Sequence, residues 1–301
     1  MQAVVIHETG GPEVLQLAQV DRPEPGDGEV LIKVHAASVN PIDWKYRCGL
    51  APKQLPAVLG HDVSGTIERS RAGGFAEGED VFGSIASGGY AEFATAPAAV
   101  IAKKPSAVSH EQAAAIPVSG LTAWQALFDR GELEQGQTAL IAGAAGGVGH
   151  FAVQFAARAA ARTIGTGSSR NRDFVLGLGA DDYVDYTQQD VAQSASDVDV
   201  AFDTVGGETT EALLPTVRQG GVLVTIANAP PEQAAAQRGV RAELLVMSPN
   251  PGQLARIAEL VAAGEVHVEI AATLPLQEVQ RAHEMSESGH TRGKIILVMS
   301  S

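Results

Sequence analysis

LIAGAAGGVGHFAVQFA, residues 140–156, decides how this chain folds. TALIAG (138–143) reads as an apolar strand, and GVGHFAVQFAARAAA (147–161) reads as a helix. Between them Gly143, Gly146 and Gly149 make a GxxGxxG turn. Glycines there allow a tight turn and let backbone N–H groups approach a pyrophosphate at the helix N-terminus, where the dipole favours negative charge. Ala145, Gly147 and Val148 lie in the same turn and belong to the expected cradle.

The alternation continues downstream. RTIGTG (162–167), DYVDY (182–186), VDVAFDT (198–204), GGVLVTIA (220–227) and VRAELLV (240–246) read as strands, and NRDFVLGLG (171–179) and PGQLARIAELVAAG (251–264) as helices. Near-continuous apolar strands alternating with helices imply a parallel sheet covered on both faces. Upstream the pattern differs. VLIKVHAASV (30–39), VSGTIE (63–68), EDVFGSI (79–85) and YAEFATA (90–96) are short β runs broken by Gly and Pro, which predict a compact all-β unit. HEQAAAIPVSGLTAWQALFDRG (110–131) is helical on both sides of Pro117. Near the end, VHVEIAATL (266–274) and GKIILVM (293–299) return to β character around one short helix at 276–288. The expected organisation is an α/β protein: a β-rich domain of residues 1–117 and 263–301, and a doubly wound parallel-sheet domain of residues 118–262.

Composition narrows the function. A chain of 301 residues is ample for two domains. Its net charge of −14 repels phosphate backbones and anionic membranes, so neither nucleic acid nor a membrane is an expected partner. The lone cysteine, Cys48, rules out a disulfide within the chain and agrees with a reducing compartment. No basic-then-apolar leader and no stretch of about 20 apolar residues occurs, so a soluble, cytoplasmic protein is expected.

The ribose selector of a nucleotide site stands about 20–25 residues after the glycine turn. NAD sites usually place an acid there. Here the stretch is GTGSSRNR, with no acid from Gly165 to Arg172. Ser168, Ser169, Arg170 and Arg172 offer hydroxyls and guanidinium groups instead, which suit a 2′-phosphate. The expected cofactor is NADPH, with Arg170, nearer the strand end, as the phosphate ligand.

Together with MQAVVIHETGGPEVL, VLIKVHAASVNPIDW, LPAVLGHDVSGTIE, PVSGLTAWQAL, LGADDYVDY, VAFDTVGG and RGKIILV, these motifs carry a resemblance over nearly the whole chain. The sequence resembles the zinc-independent quinone oxidoreductases of the medium-chain dehydrogenase/reductase superfamily. The resemblance implies a GroES-like substrate domain, a Rossmann cofactor domain, a cleft between them and a homodimer. Zinc alcohol dehydrogenases of that superfamily carry a Cys where this chain has Asn40, a Gly-His-Glu triplet where it has Gly60-His61-Asp62, and a second Cys that it lacks. A catalytic zinc needs about three protein ligands, so no metal is expected. His61 is then a hydrogen-bonding or packing residue, and Asp62 caps a turn or pairs with a base such as Arg47.

Without a Lewis acid, the chemistry that fits is hydride transfer to an acceptor that is already electrophilic, a quinone or an α,β-unsaturated carbonyl. The resemblance puts Asn40, Asp43 and Arg47 beside the substrate. Asn40 is either an oxyanion donor or a loop cap, and Asp43 and Arg47 are expected to pair. Some members carry a tyrosine after the segment that reads RCGLAP here; Tyr46, just before it, is the candidate replacement. Thr122 matches a threonine near the nicotinamide, and Tyr186 a residue near the adenosine phosphate. Thr204, Val205, Ala227 and Asn228 follow two parallel strands, at the carboxyl edge where such sheets bind ligands. Lys294 reaches the cofactor, the cleft or solvent. Trp44 and Trp124 line a pocket or fill the core. Competing readings are a zinc-type alcohol dehydrogenase, an enoyl-thioester reductase, and a non-catalytic NADPH-binding protein.

Overall fold

The computed structural model describes residues 1–299. They form two compact units: Met1–Val118 with the segment from Pro249 onward, and Ser119–Ser248.

The first unit is built on strands. β1 (Gln2–Ile6) pairs antiparallel with β2 (Gln16–Gln19), and β3 (Glu29–Val39) follows, leading through Asn40 into the short helix α1 (Pro41–Arg47). β4 (Ala57–Val58) closes a three-stranded sheet, β2-β1-β4. β5 (Asp62–Ser70), β6 (Asp80–Ser84), β7 (Phe93–Pro97) and β8 (Ile101–Lys103) build a larger antiparallel sheet around β3, which pairs with both β5 and β7. β3 alternates little, because both its faces are covered: only Lys33 of its eleven residues is exposed. Helix α2 (His110–Ala115) starts from a Ser109 cap, and Pro117 opens α3 (Pro117–Trp124), within which the unit border falls.

The second unit alternates strand and helix as the apolar pattern requires. Its elements are β9 (Thr138–Ala142), α4 (Gly149–Arg158), β10 (Arg162–Gly167), α5 (Arg172–Gly177), β11 (Asp182–Asp185), α6 (Val191–Ser194), β12 (Val198–Asp203), α7 (Glu208–Leu213), β13 (Val217–Thr225), α8 (Glu232–Gln237) and β14 (Arg241–Leu244). The six strands form one sheet, ordered β11-β10-β9-β12-β13-β14, parallel at every junction. The order reverses at β9, so the glycine turn after β9 lies at the switch point where doubly wound sheets bind ligands. Leu140, Ala142, Ile164, Val184 and Leu223 form its core.

The chain then re-enters the first unit. α9 (Pro251–Ala262) packs on β8, so the crossing lies at Pro249, one helix before the expected residue 263. β15 (Ile270–Pro275), α10 (Val279–Glu287) and β16 (Lys294–Val298) complete the unit, with β16 antiparallel to the end of β3, Ile295 opposite Val39. The three-stranded sheet at the N-terminus had no counterpart in the sequence reading. Among the described residues no helix is long and apolar enough to cross a membrane.

Candidate active site

In the first unit the polar residues gather where β3 ends and α1 begins. Asn40 is the N-cap of α1, and its backbone N–H donates to Asp43 Oδ2 at 2.8 Å. Its side chain is buried and committed: Nδ2 donates to Asp62 Oδ2 at 2.9 Å and weakly to Ser38 at 3.4 Å, and Oδ1 accepts from Lys294 Nζ at 2.5 Å. Asp62 also accepts from Ser38 Oγ at 3.0 Å and from the Val118 N–H at 3.1 Å. Burial raises the Asp62 carboxyl above its ordinary range despite Lys294, Asn40 and Ser38, and burial lowers the Lys294 ammonium despite Asp62 and Asp43.

Three expectations meet the structure here. Of the two readings of Asn40 the structure shows the cap: it is the N-cap of α1, and both amide hydrogens are spent within this buried network. Lys294 does not reach solvent: it is 3% exposed and its ammonium donates to Asn40 Oδ1. Arg47 pairs with neither Asp43 nor Asp62, but reaches Glu287 on α10.

Asp43 instead meets His61. Its Oδ1 lies 2.6 Å from His61 Nδ1, and its carboxylate is fully buried. Burial alone would raise the Asp43 carboxyl, but the hydrogen bond and charge of His61 hold it below its ordinary range. For His61, burial lowers and Asp43 raises, and the carboxylate prevails: the imidazole is raised above 6.5. Tyr46 stacks on the His61 ring, with centroids 5.4 Å apart and planes 15° apart. Cys48 is half-buried and lies 3.7 Å from the Lys45 carbonyl.

These donors do not fit a zinc ion. His61 Nδ1 is bound to Asp43, Asp62 is filled by Asn40, Ser38 and Val118, and among the described residues no group of three or more His, Cys, Asp or Glu side chains converges.

In the second unit the glycine turn fits a nucleotide phosphate. Gly143 has φ +68°, and a Cβ there would meet Thr204 Oγ1 at 2.5 Å. A Cβ on Gly149 would meet the Gly143 carbonyl at 2.1 Å. Helix α4 has no side-chain cap, and the N–H groups of Gly147, Val148 and Gly149 find no protein acceptor among the described residues. They are the open donors that a helix N-terminus offers an anion. Thr204 and Val205 stand over Gly143, Thr204 donating to the Ala142 carbonyl at 2.8 Å. Ala227 and Asn228 close on the next turn, where Asn228 Oδ1 accepts from the Gly207 N–H at 2.9 Å. The structure therefore brings Thr204, Val205, Ala227 and Asn228 to one sheet edge. Thr122 is buried on α3, and Trp124 packs edge-on against Phe128 and Phe155 as a core residue.

A β-rich unit and a parallel sheet with a glycine turn at its switch point are the parts of a nucleotide-dependent dehydrogenase, and the comparisons agree. Residues 26–106 match the model of the alcohol dehydrogenase GroES-like domain, and residues 178–297 that of the zinc-binding dehydrogenase family. A chloroplast envelope quinone oxidoreductase homolog from Arabidopsis thaliana is 33% identical, over 96% of this chain and 95% of its own. The chain belongs to the quinone oxidoreductase family of the medium-chain dehydrogenase/reductases. It is an oxidoreductase. The fold of this quinone oxidoreductase family member superimposes on a quinone oxidoreductase from Coxiella burnetii with TM-score 0.95 at 34% identity, covering 100% and 99% of the two chains. An Escherichia coli quinone oxidoreductase solved with NADPH gives TM-score 0.92 at 29% identity, covering 99% and 100%.

Two residues that matter escaped the sequence reading. Asp203, fully buried at the end of β12, accepts from the N–H groups of Val205 and Gly206, both at 2.9 Å, and from the hydroxyls of Thr210 and Thr225. It shapes the turn beside Gly143; its signal was an acid at the carboxyl end of a mostly apolar strand. Asp185 is the second. No acid occurs in GTGSSRNR, but β11 sets Asp185 opposite Gly167. Its oxygens accept from Ser169 Oγ at 2.5 Å, from Thr187 N and Oγ1, and from Gln188 Nε2, which together hold the carboxyl below its ordinary range. Ser168 and the exposed Arg170 stand at the same strand end, and the Tyr186 N–H donates to the Gly167 carbonyl at 3.2 Å. Arg172 turns away toward the Tyr183 carbonyl.

Proposed function

We propose that the protein transfers hydride from NADPH to a quinone or α,β-unsaturated carbonyl without zinc. The observation that carries this reading is the uncapped glycine turn with its three open N–H groups; the residues of the first unit at the zinc positions are consumed in hydrogen bonds. Gly143, Ala145, Gly146, Gly147, Val148 and Gly149 would hold the pyrophosphate. Ser168 and Arg170 would take the 2′-phosphate, because four donors already fill Asp185 and leave it little capacity for a ribose hydroxyl. Bound NADPH supplies the hydride. The chain's own part is to position an acceptor that needs no Lewis acid, and to supply a proton. Asn40 and Lys294 serve by holding Asp62 and the start of α1 in place.

Cys48 suits a reducing, cytoplasmic setting. A homodimer is supported by Leu244, 47% exposed at the end of the edge strand β14, and Val246 just past it, 77% exposed. The test is a panel of quinones, enones, aldehydes and alcohols with each nicotinamide cofactor, before and after chelation. Quinone or enone reduction by NADPH that survives chelator is expected. Alcohol oxidation abolished by chelator would replace this reading with the zinc-type one.

A further inference from the structure

We infer that His61 is the proton donor to the oxygen of the reduced acceptor, with Asp43 as the positioning residue that orients its ring. The inference rests on the hydride-transfer reading above.

The geometry separates the two ring nitrogens. Nδ1 lies 2.6 Å from a fully buried carboxylate, and the carboxylate is itself fixed, because its other oxygen accepts the Asn40 N–H at 2.8 Å. A carboxylate only accepts, so Nδ1 carries a proton and donates it into that bond. Nε2 has no protein partner among the described residues and is not among the fully buried polar atoms. It is the nitrogen left to exchange a proton. The ring cannot swing freely, since Tyr46 stacks on it and the His61 carbonyl accepts from the Ile85 N–H at 2.6 Å.

The neighbouring polar side chains are occupied or sealed in: Arg47 Nε and Nη1, the Tyr90 hydroxyl and both His283 nitrogens have no hydrogen-bond partner among the described residues but are fully buried. Asn40, Ser38, Asp62 and Lys294 are bound to one another, and Arg47 is turned to Glu287. The charged groups that act on the imidazole are Asp43 on α1, Asp62 on β5 and Lys53 in the loop before β4. Behind Asp43 lie Tyr90 and His283; burial drives the Tyr90 hydroxyl far up and His283 down to about 4, so both are neutral near pH 7. The two carboxylates outweigh burial and Lys53, which favours the imidazolium.

The step balances. Hydride delivers two electrons and one proton to the acceptor and leaves an electron pair, as an enolate or hydroquinone anion, on its oxygen. The Nε2–H bond breaks, the O–H bond forms, and the imidazole becomes neutral with Nδ1–H still on Asp43. Water returns a proton to Nε2.

Two measurements test this. In the cofactor-free protein, histidine nitrogen NMR should show His61 with Nδ1 protonated and titrating above 6.5, and the titration should move down in Asp43→Asn. A His61 that stays neutral from pH 6 to 8 overturns the inference, and so does one that Asp43→Asn does not shift. With saturating NADPH and a quinone, wild-type kcat should fall as pH rises through that titration. His61→Gln, which keeps a donor for Asp43, should lose at least tenfold at pH 6 and lose the pH-dependent limb, with exogenous imidazole restoring part of the rate. An unchanged rate and limb in His61→Gln overturns the inference. So does a limb that disappears in Tyr46→Phe but survives in His61→Gln, because the proton is then the tyrosine's. A wild-type protein that reduces nothing with NADPH sinks the hydride-transfer reading instead, while the NMR result still reports on the dyad.

Discussion

Asp43 and His61 bind each other's charged forms, and that couples their pair to pH in both directions. The Asp43 carboxyl is depressed, so its contribution is present above the unfolded value near 3.8 and is lost as pH falls through the folded one. The His61 imidazole is raised, so its contribution is complete below about 6.5 and is lost as pH rises through the folded value. The stability gap between wild type and His61→Gln should therefore be widest between about pH 4 and 6.5 and should shrink toward pH 9. Denaturant unfolding across that range checks it; a gap that grows with pH would mean that the neutral ring is the form the fold prefers. Asp203 makes a second case at this scale. Asp203→Ala strands two backbone N–H groups and two hydroxyls, at a cost of about 3–5 kcal/mol, read by urea unfolding. Spacing in sequence hid both partnerships. Asp43 and Arg47, four apart at the start of a helix, looked like a pair, but Arg47 points to Glu287, 240 residues away, and Asp43 to a histidine on another segment. Long-range partners leave no local mark.

The element scale was easier to read, because turns and strands write their constraints locally. The glycine turn is legible because each glycine answers to a contact. Gly149→Ala would press a Cβ to 2.1 Å from the Gly143 carbonyl, whereas Gly146→Ala meets the same oxygen at 3.2 Å. Backbone cannot yield as a side-chain tip does. Gly149→Ala should cost about 1–3 kcal/mol and at least tenfold in NADPH affinity, and Gly146→Ala clearly less of both, by thermal melts and fluorescence titration. Equal effects would mean that the turn is softer than its contacts imply. The strand end after β10 carries the cofactor prediction. Arg170→Ala should weaken NADPH by at least tenfold, about 1.4 kcal/mol, and leave NADH unchanged; equal losses would make Arg170 a support of the loop. Asp185 was invisible in GTGSSRNR because parallel pairing, not sequence, sets it beside Gly167.

At the scale of the whole molecule, the middle of the chain makes one unit and its two ends make the other. The alternation of strand and helix announced the first, and the return of β character after residue 264 announced the second, but the helix Pro251–Ala262 was placed on the wrong side of the border. Its amphipathic pattern says that it packs on something, not on which sheet. Residues 119–248 are continuous and carry their own core and glycine turn. Expressed alone, this segment should fold cooperatively and bind NADPH, as circular dichroism and titration would show. Residues 1–118 alone should not fold, because β3 loses its partner β16 and Asn40 loses Lys294.

That ammonium at residue 294 also sets a timetable for synthesis. Domains usually fold in the order in which they leave the ribosome. Here the strands of residues 2–103 emerge first yet must wait, with Asn40 and Asp62 short of their cation, until residue 294 has been made. The middle segment matures while its flanks are still open. A nascent chain is thus exposed for longest in its first unit, and a message cut short before residue 294 yields a nucleotide-binding half with no finished partner.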